Sequence, residues 1–243
     1  MLFKGRYSAR EAESPADVIR AQSLRAKVFG GGRFDLDADD YDTRCAHILV
    51  EERATGDLVC CFRFLRLDDG RDISQSYSAQ FYGLEALEKF AGPMVEMGRF
   101  CIDPARRDPD ILRVAWGAMT RYVDENGIEL LFGCSSFTGT DADNYLDTFG
   151  ILSQRHLAPR RWLPRVKAPS VVRFAQMLRL RRPDAKAAMK QMPPLLKTYL
   201  MMGGWVSDHA VVDTHLNTLH VFTGVEIKAI PASRKRLLRA VAQ

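Results

Sequence analysis

Two apolar strands flank a single amphipathic helix in the middle of the chain, and this arrangement narrows the fold more than any other stretch. Val95 to Ile102 (VEMGRFCI) reads as a strand that Asp103-Pro104 ends. From Asp110 to Glu125, apolar residues recur at 111, 114, 115, 118, 119 and 122, which is one face of a helix. Asn126-Gly127 closes that helix, and Leu130 to Ser136 (LLFGCSS) follows as a short buried strand. Two nearly parallel strands joined by one helix predict a right-handed crossover.

The rest of the chain supplies partners for that unit. Residues 6–13 predict a first strand, and Ser14-Pro15-Ala16-Asp17 opens a helix with Ser14 as N-cap and Pro15 in the first turn. Gly30-Gly31-Gly32 is expected to end it, and the acidic stretch that follows reads as a solvated loop. His47 to Glu52 and Leu58 to Leu67 predict a hairpin closed by Ala54-Thr55-Gly56-Asp57. Residues 68–93 read as loop with a short helix near Leu84 to Phe90. A helix from Thr140 or Asp141 to Leu152 comes next, then a proline- and base-rich stretch with one helical segment near Val171 to Leu180. Pro193-Pro194 opens another helix, His220 to Val225 is a strand, and the tail from Ser233 is helical. The expected class is α+β: a mixed central sheet flanked by helices, one domain over 1–243, with 155–192 as a basic insertion within it.

Charge is unevenly spread. Residues 35–57 hold eight acids and two bases, whereas residues 155–197 hold twelve Lys or Arg and one acid, Asp184. Such a basic surface steers an acidic partner towards it, be that nucleic acid, an anionic membrane or an acidic carrier protein. No run reaches the roughly 20 apolar residues of a spanning helix, and the N-terminus carries charge where a signal peptide needs an apolar run. The expected location is cytoplasmic, with contact at the inner membrane surface. The five cysteines, Cys45, Cys60, Cys61, Cys101 and Cys134, have no zinc-type spacing and read as small buried hydrophobes.

Glu96 is the most informative candidate for chemistry. A carboxylate inside an apolar strand is costly unless it is paired or faces a wet cleft. Strict alternation places Glu96, Gly98 and Phe100 on one face and Arg99 on the other, with Val95 and Met97. The Asp103–Asp110 turn carries Arg106 and Arg107 into a helix N-terminus, a setting that suits phosphate as well as solvent. Ser135 and Ser136 end LFGCSS without a G-x-S-x-G elbow, which argues against a hydrolase nucleophile. His209, Asp213 and His215 follow no metal-ligand spacing and read as loop or packing residues; no metal site is expected. Met192, Met201 and Met202, with Leu195, Leu196, Leu200 and Trp205, form an apolar helical patch suited to core packing or to an acyl chain.

Several segments, taken in order, resemble one family. They are Gln22-Ser23-Leu24-Arg25 with Val28-Phe29, Asp39 to His47 (DDYDTRCAH), Glu96 to Phe100 with Asp103-Pro104 and Arg107, and Phe132 to Phe137 with Gly139-Thr140. Pro193 to Leu196, Tyr199-Leu200, Gly203-Gly204 and Asn217-Thr218 complete the series. The chain thereby resembles the ornithine–acyl-carrier-protein N-acyltransferases of aminolipid synthesis, relatives of the acyl-homoserine-lactone synthases on the GNAT fold.

The resemblance implies transfer of a fatty acyl group, usually 3-hydroxylated, from acyl carrier protein to the α-amino group of an amino acid. No cofactor is held permanently; the acyl-phosphopantetheine of the carrier is the donor. Glu96 is implied as the base, Arg99 as its positioner or a carboxylate anchor, and Ser135 or Ser136 as proton donor to the thiolate. Arg106, Arg107 and Asp103 are implied at the pantetheine phosphate. Arg25, Phe29, Asp40, Asp42 and Phe100 are implied around the amino acid. Arg160, Arg161, Arg165 and their basic neighbours would dock the carrier or an anionic membrane, with Trp162 and Leu163 at the interface. The coenzyme-binding signature of classical acetyltransferases is absent after Asp103. The segment after Gly203 departs from the ornithine enzymes and keeps glutamine open as acceptor. An acyl-homoserine-lactone synthase and a non-enzymatic binder of anionic lipid or nucleic acid are the competing readings; the latter leaves Glu96 without a task.

Overall fold

Ser14 begins the first helix as its sequence predicts. Its Oγ accepts from the Asp17 N–H at 3.2 Å, and Pro15 stands where a missing N–H costs nothing. The computed structural model, which describes residues 2–30 and 34–242, carries this helix, α1, over Pro15–Arg25 and continues it as a π-helical turn, Ala26–Gly30. Gly31 and Gly32 lie outside the described residues. The chain divides into two compact units, one of residues 1–66, 95–128 and 231–243, the other of 67–94 and 129–230. Neither is continuous in sequence, so no linker composition marks a boundary.

In the first unit, β1 (Leu2–Lys4), β2 (Tyr7–Glu11), β3 (Ala46–Glu52) and β4 (Leu58–Leu67) pair successively and antiparallel. The β3–β4 connection is the expected hairpin, with Gly56 at φ 76° in the left-handed turn position. Beyond β5 (Tyr82–Gly83), which belongs to the second unit, β6 (Met94–Ile102) lies beside β4. Helix α1 covers one face of this sheet, where Ala21, Leu24, Leu49, Cys61 and Cys101 form a buried cluster. Helix α2 (Pro109–Glu125) covers the other, with the Tyr122 ring 4.4 Å from that of Phe64. Asp108 caps α2 through the Asp110 N–H, and Gly127 at φ 61° lets the chain turn away. The basic tail is helical over Ala232–Ala242 and is tied to α2 by the Arg239–Asp124 ion pair at 2.9 Å.

The second unit is built on a long hairpin-like ladder. β7 (Leu130–Thr138) pairs antiparallel with the last strand, Thr218–Glu226, from Thr138↔Thr218 to Leu130↔Glu226. Short pieces complete the unit: β8 (Arg165–Val166) on β5, then β9 (Val171–Val172), β10 (Trp205–Val206), β11 (Ala210–Asp213) and the last strand, β12. Both β10 and β11 pair with β12, and β9 with β11. Gly224 is required opposite Trp205, because a Cβ there would lie 2.4 Å from the indole. One face packs on α3 (Leu146–Arg155), α4 (Phe174–Met177), α5 (Ala185–Gln191) and α6 (Pro194–Met201).

The expected irregular insertion differs in one respect. Phe174, Leu178, Ala188 and Met192 are buried in this unit's main core. Two i,i+4 apolar pairs lie hidden among the arginines, so 155–192 is core wall on its inner side and basic only outside. Within the expected helix near Val171 to Leu180, only Phe174–Met177 is helical. The apolar patch around Met192 also packs inward: Met192, Leu196, Met202 and Trp205 are buried, with Trp205 on a strand and Met201 half exposed.

Candidate active site

Strand β6 changes face at Arg99. Gly98 looks toward Arg63, whose Nε would lie 3.7 Å from a Cβ at that glycine. Phe100 instead stacks on Phe62, ring centroids 5.5 Å apart, while the Cys101 Sγ meets that of Cys61 at 3.5 Å. Phe62 lies on the opposite face of β4 from Cys61 and Arg63, so unbroken alternation is impossible here. The cause is Arg99, whose φ of 54° is left-handed and strained for a residue with a Cβ. Phe100 is therefore not on the Glu96–Gly98 face, contrary to the sequence expectation. The guanidinium of Arg99 joins the Asp39 carboxylate that Arg63 also holds.

Within the acidic stretch read as a solvated loop, Asp37 and Asp42 are buried counter-ions and Asp39 a half-buried one. Arg25, 1% exposed, donates from Nε to Asp37 at 2.9 Å and from Nη1 to Asp42 at 2.7 Å, and also bonds the Asp37 carbonyl. Arg63 bonds Asp39 and Asp42, each at 2.5 Å, and Arg99 reaches Asp37 at 2.9 Å and Asp39 at 3.2 Å. Burial on its own would raise Asp42, but hydrogen bonds and charge from Arg25, Gln22 and Arg63 outweigh it and hold the carboxyl well below its usual range. His47, whose Nε2 lies 3.0 Å from the Asp42 carbonyl oxygen, is lowered by burial against the opposing pull of Asp42. Cys45 is pushed up to about 11 by burial; the Arg63 charge opposes that rise, and Glu96 and the aspartates add to it. Glu96, 4% exposed, thus belongs to the same charged neighbourhood.

The other predicted residues have their own local surroundings. Arg25 and Asp42, implied at the substrate, are spent on each other and on Asp37 and Arg63. Asp40 is exposed, and Phe29 packs half-buried on the α1 cluster. Arg106 is committed to Glu52 and Asp57, both at 2.9 Å, and Asp103 to Lys27 at 2.8 Å. Asp108 already fills the N-cap of α2, so of the turn's two arginines only Arg107 is exposed without an ion pair among the described residues. On β7, Ser135 is buried and its Oγ accepts from Thr223 at 2.9 Å, whereas Ser136 points to solvent. Trp162 rests half-buried, 5.5 Å from the Phe90 ring, rather than on an open interface. His215 is exposed in the β11–β12 turn, away from the buried His209, and Asp213 caps that turn through the Leu216 N–H.

Sequence reasoning missed a second polar cluster, in the second unit. The Tyr82 hydroxyl donates to the His220 carbonyl oxygen at 2.8 Å, and the His220 Nδ1 stands 3.1 Å from it. His209 bonds Asp208 at 2.7 Å. Burial lowers His220 to about 4, its charge also opposed by His209 and favoured by Asp213. A histidine kept neutral in the fold but free to protonate when unfolded stabilises fully above about pH 6.5, and that stability drains as pH falls toward the folded value. Urea unfolding at pH 7 and pH 5 is expected to differ by about 2 kcal/mol from this group. In His220→Gln that share of the slope should vanish; an unchanged slope would assign it elsewhere.

Comparison with known proteins identifies relatives of this chain. Residues 22–117 match the acetyltransferase (GNAT) domain family. The L-ornithine N(alpha)-acyltransferase of Rhodobacter capsulatus is 31% identical over 92% of this chain and 91% of its own. That of Brucella abortus is 30% identical over 93% of this chain and 86% of its own. Among solved structures, the coenzyme-A-dependent acyl-homoserine lactone synthase BjaI with MTA aligns over 97% of this chain and 88% of its own, at 13% identity and TM-score 0.50, a likeness of fold.

Proposed function

Because the chain belongs to the L-ornithine N(alpha)-acyltransferase family and is an acyltransferase, we propose that it moves a fatty acyl group from the phosphopantetheine thioester of acyl carrier protein to the α-amino group of ornithine. The observation that carries the chemistry is Glu96, a carboxyl 4% exposed on β6 beside the Asp39–Asp42–Arg63 cluster. The α-amino group arrives as ammonium and has no lone pair for attack. Glu96 takes its proton, directly or through water. The freed nitrogen adds to the thioester carbonyl carbon, the C–S bond breaks, and the carrier thiolate leaves and takes up the second proton that the nitrogen sheds as it becomes an amide. An amide and a free carrier thiol result. Arg99 is a positioning residue: ion pairs to Asp37 and Asp39 hold its left-handed backbone and so fix the face switch beside Glu96.

The acceptor is supported by the relatives' names. The donor is supported by the missing coenzyme signature and by exposed cations at Arg160 and Arg165 that suit an acidic carrier. The purified protein, given acyl carrier protein thioester and equal ornithine and glutamine, is expected to yield N-acylornithine by mass spectrometry. Acylglutamine alone would overturn the acceptor, and equal turnover of acyl-coenzyme A would overturn the donor. Arg160→Glu with Arg165→Glu is expected to raise KM for the carrier by about tenfold at low salt and leave that for ornithine unchanged.

A further inference from the structure

We propose that the outer face of residues 177–190 docks on an anionic membrane surface. The segment is firmly seated. Thr148 Oγ1 donates to the Ala188 carbonyl at 3.0 Å, Gln154 Nε2 to that of Arg181 at 3.0 Å, and a Cβ at Gly150 would lie 2.9 Å from Pro183. Phe174, Leu178, Ala188 and Met192 point inward. What remains outside is unusual: Leu180 is 91% exposed, Met177 60% and Met189 49%. Arg179, Arg182 and Lys186 fall between them in the chain and Lys190 follows Met189, all four exposed and without an ion pair among the described residues. Asp184, the segment's one acid, is spent capping α5 through the Lys186 and Ala187 N–H groups.

Single exposed apolar side chains are ordinary, but three interleaved with four unmatched cations on an anchored backbone are an interfacial pattern. Nucleic acid or an acidic protein would match the charge and leave Leu180 in water. A bilayer with anionic headgroups accepts both the cations and the apolar tips. Trp162 and Leu163, expected from sequence to enter the interface, are half-buried and cede that part to Leu180, Met177 and Met189. The docking goes beyond the acyl-transfer reading, and vesicle binding is scored without turnover, so either can fail alone.

The test is co-sedimentation of the full chain with vesicles of equal parts phosphatidylglycerol and phosphatidylcholine, against phosphatidylcholine alone, at about 0.1 M salt. Binding is expected only to the anionic vesicles and should weaken as salt rises. Arg179→Glu with Arg182→Glu is expected to lower the partition coefficient by at least about 30-fold, each lost cation being worth about fivefold. Leu180→Ser is expected to lower it by about tenfold. Both change exposed positions, and unaltered thermal unfolding serves as the control. Equal binding to both vesicle types, or binding indifferent to both variants, would overturn the proposal. So would variants that keep vesicle binding but lose affinity for acyl carrier protein, which would assign the face to a protein partner.

Discussion

Replacing Glu96 with glutamine is expected to lower kcat by about 10²–10⁴ and to leave the melting temperature within a few degrees of the parent. Glutamine keeps the shape and hydrogen-bonding reach of the side chain but cannot take a proton from an ammonium. The loss should therefore fall on kcat, with KM for ornithine and for the carrier little changed, because binding surfaces are intact. Glu96→Asp keeps the carboxylate on a shorter arm and should recover part of the rate. A structural carboxylate would behave otherwise: the glutamine variant would melt early, or retain turnover. Steady-state kinetics of the two variants separate these outcomes, and a glutamine variant with more than about a third of parental kcat removes position 96 from the proton transfer.

The elements were legible wherever a local rule governs them. The Ser14 cap, the Gly56 turn and the 3.6-residue period of α2 all follow from neighbours in the chain. The face of Phe100 was not, because alternation presumes an unbroken ladder, and a left-handed arginine leaves no mark in composition. The acidic stretch misled for a different reason. Asp37, Asp39 and Asp42 take arginine partners 12 to 62 positions away, from a helix and two strands. Eight acids close together look solvated until those arginines are placed. The Tyr82–His220 contact spans 138 positions and carries no motif. Glu96 was legible because a carboxyl within VEMGRF violates burial, a conflict that local physics exposes without any knowledge of partners.

Arg25→Ala is expected to destabilise the protein by about 3–5 kcal/mol, a large share of the roughly 5–15 kcal/mol typical of a folded domain. The guanidinium is enclosed at 1% exposure and bonds Asp37 and Asp42 together. Removing it leaves two carboxylates out of water with only part of their compensation: Asp42 keeps Gln22 and Arg63, and Asp37 keeps Arg99. The pH dependence should identify the cause. In the parent, the folded Asp42 lies below its unfolded value, so its contribution is present above about pH 4 and is lost as acid protonates it. Without Arg25, burial is opposed by less, Asp42 shifts upward, and mild acid neutralises the stranded charge. The gap between variant and parent in urea unfolding should therefore narrow from pH 7 to pH 5. A simple cavity would cost the same at both pH values, because lost packing does not titrate. A deficit below about 1 kcal/mol would mean that water reaches these carboxylates, and the face switch at Arg99 would then need a different anchor.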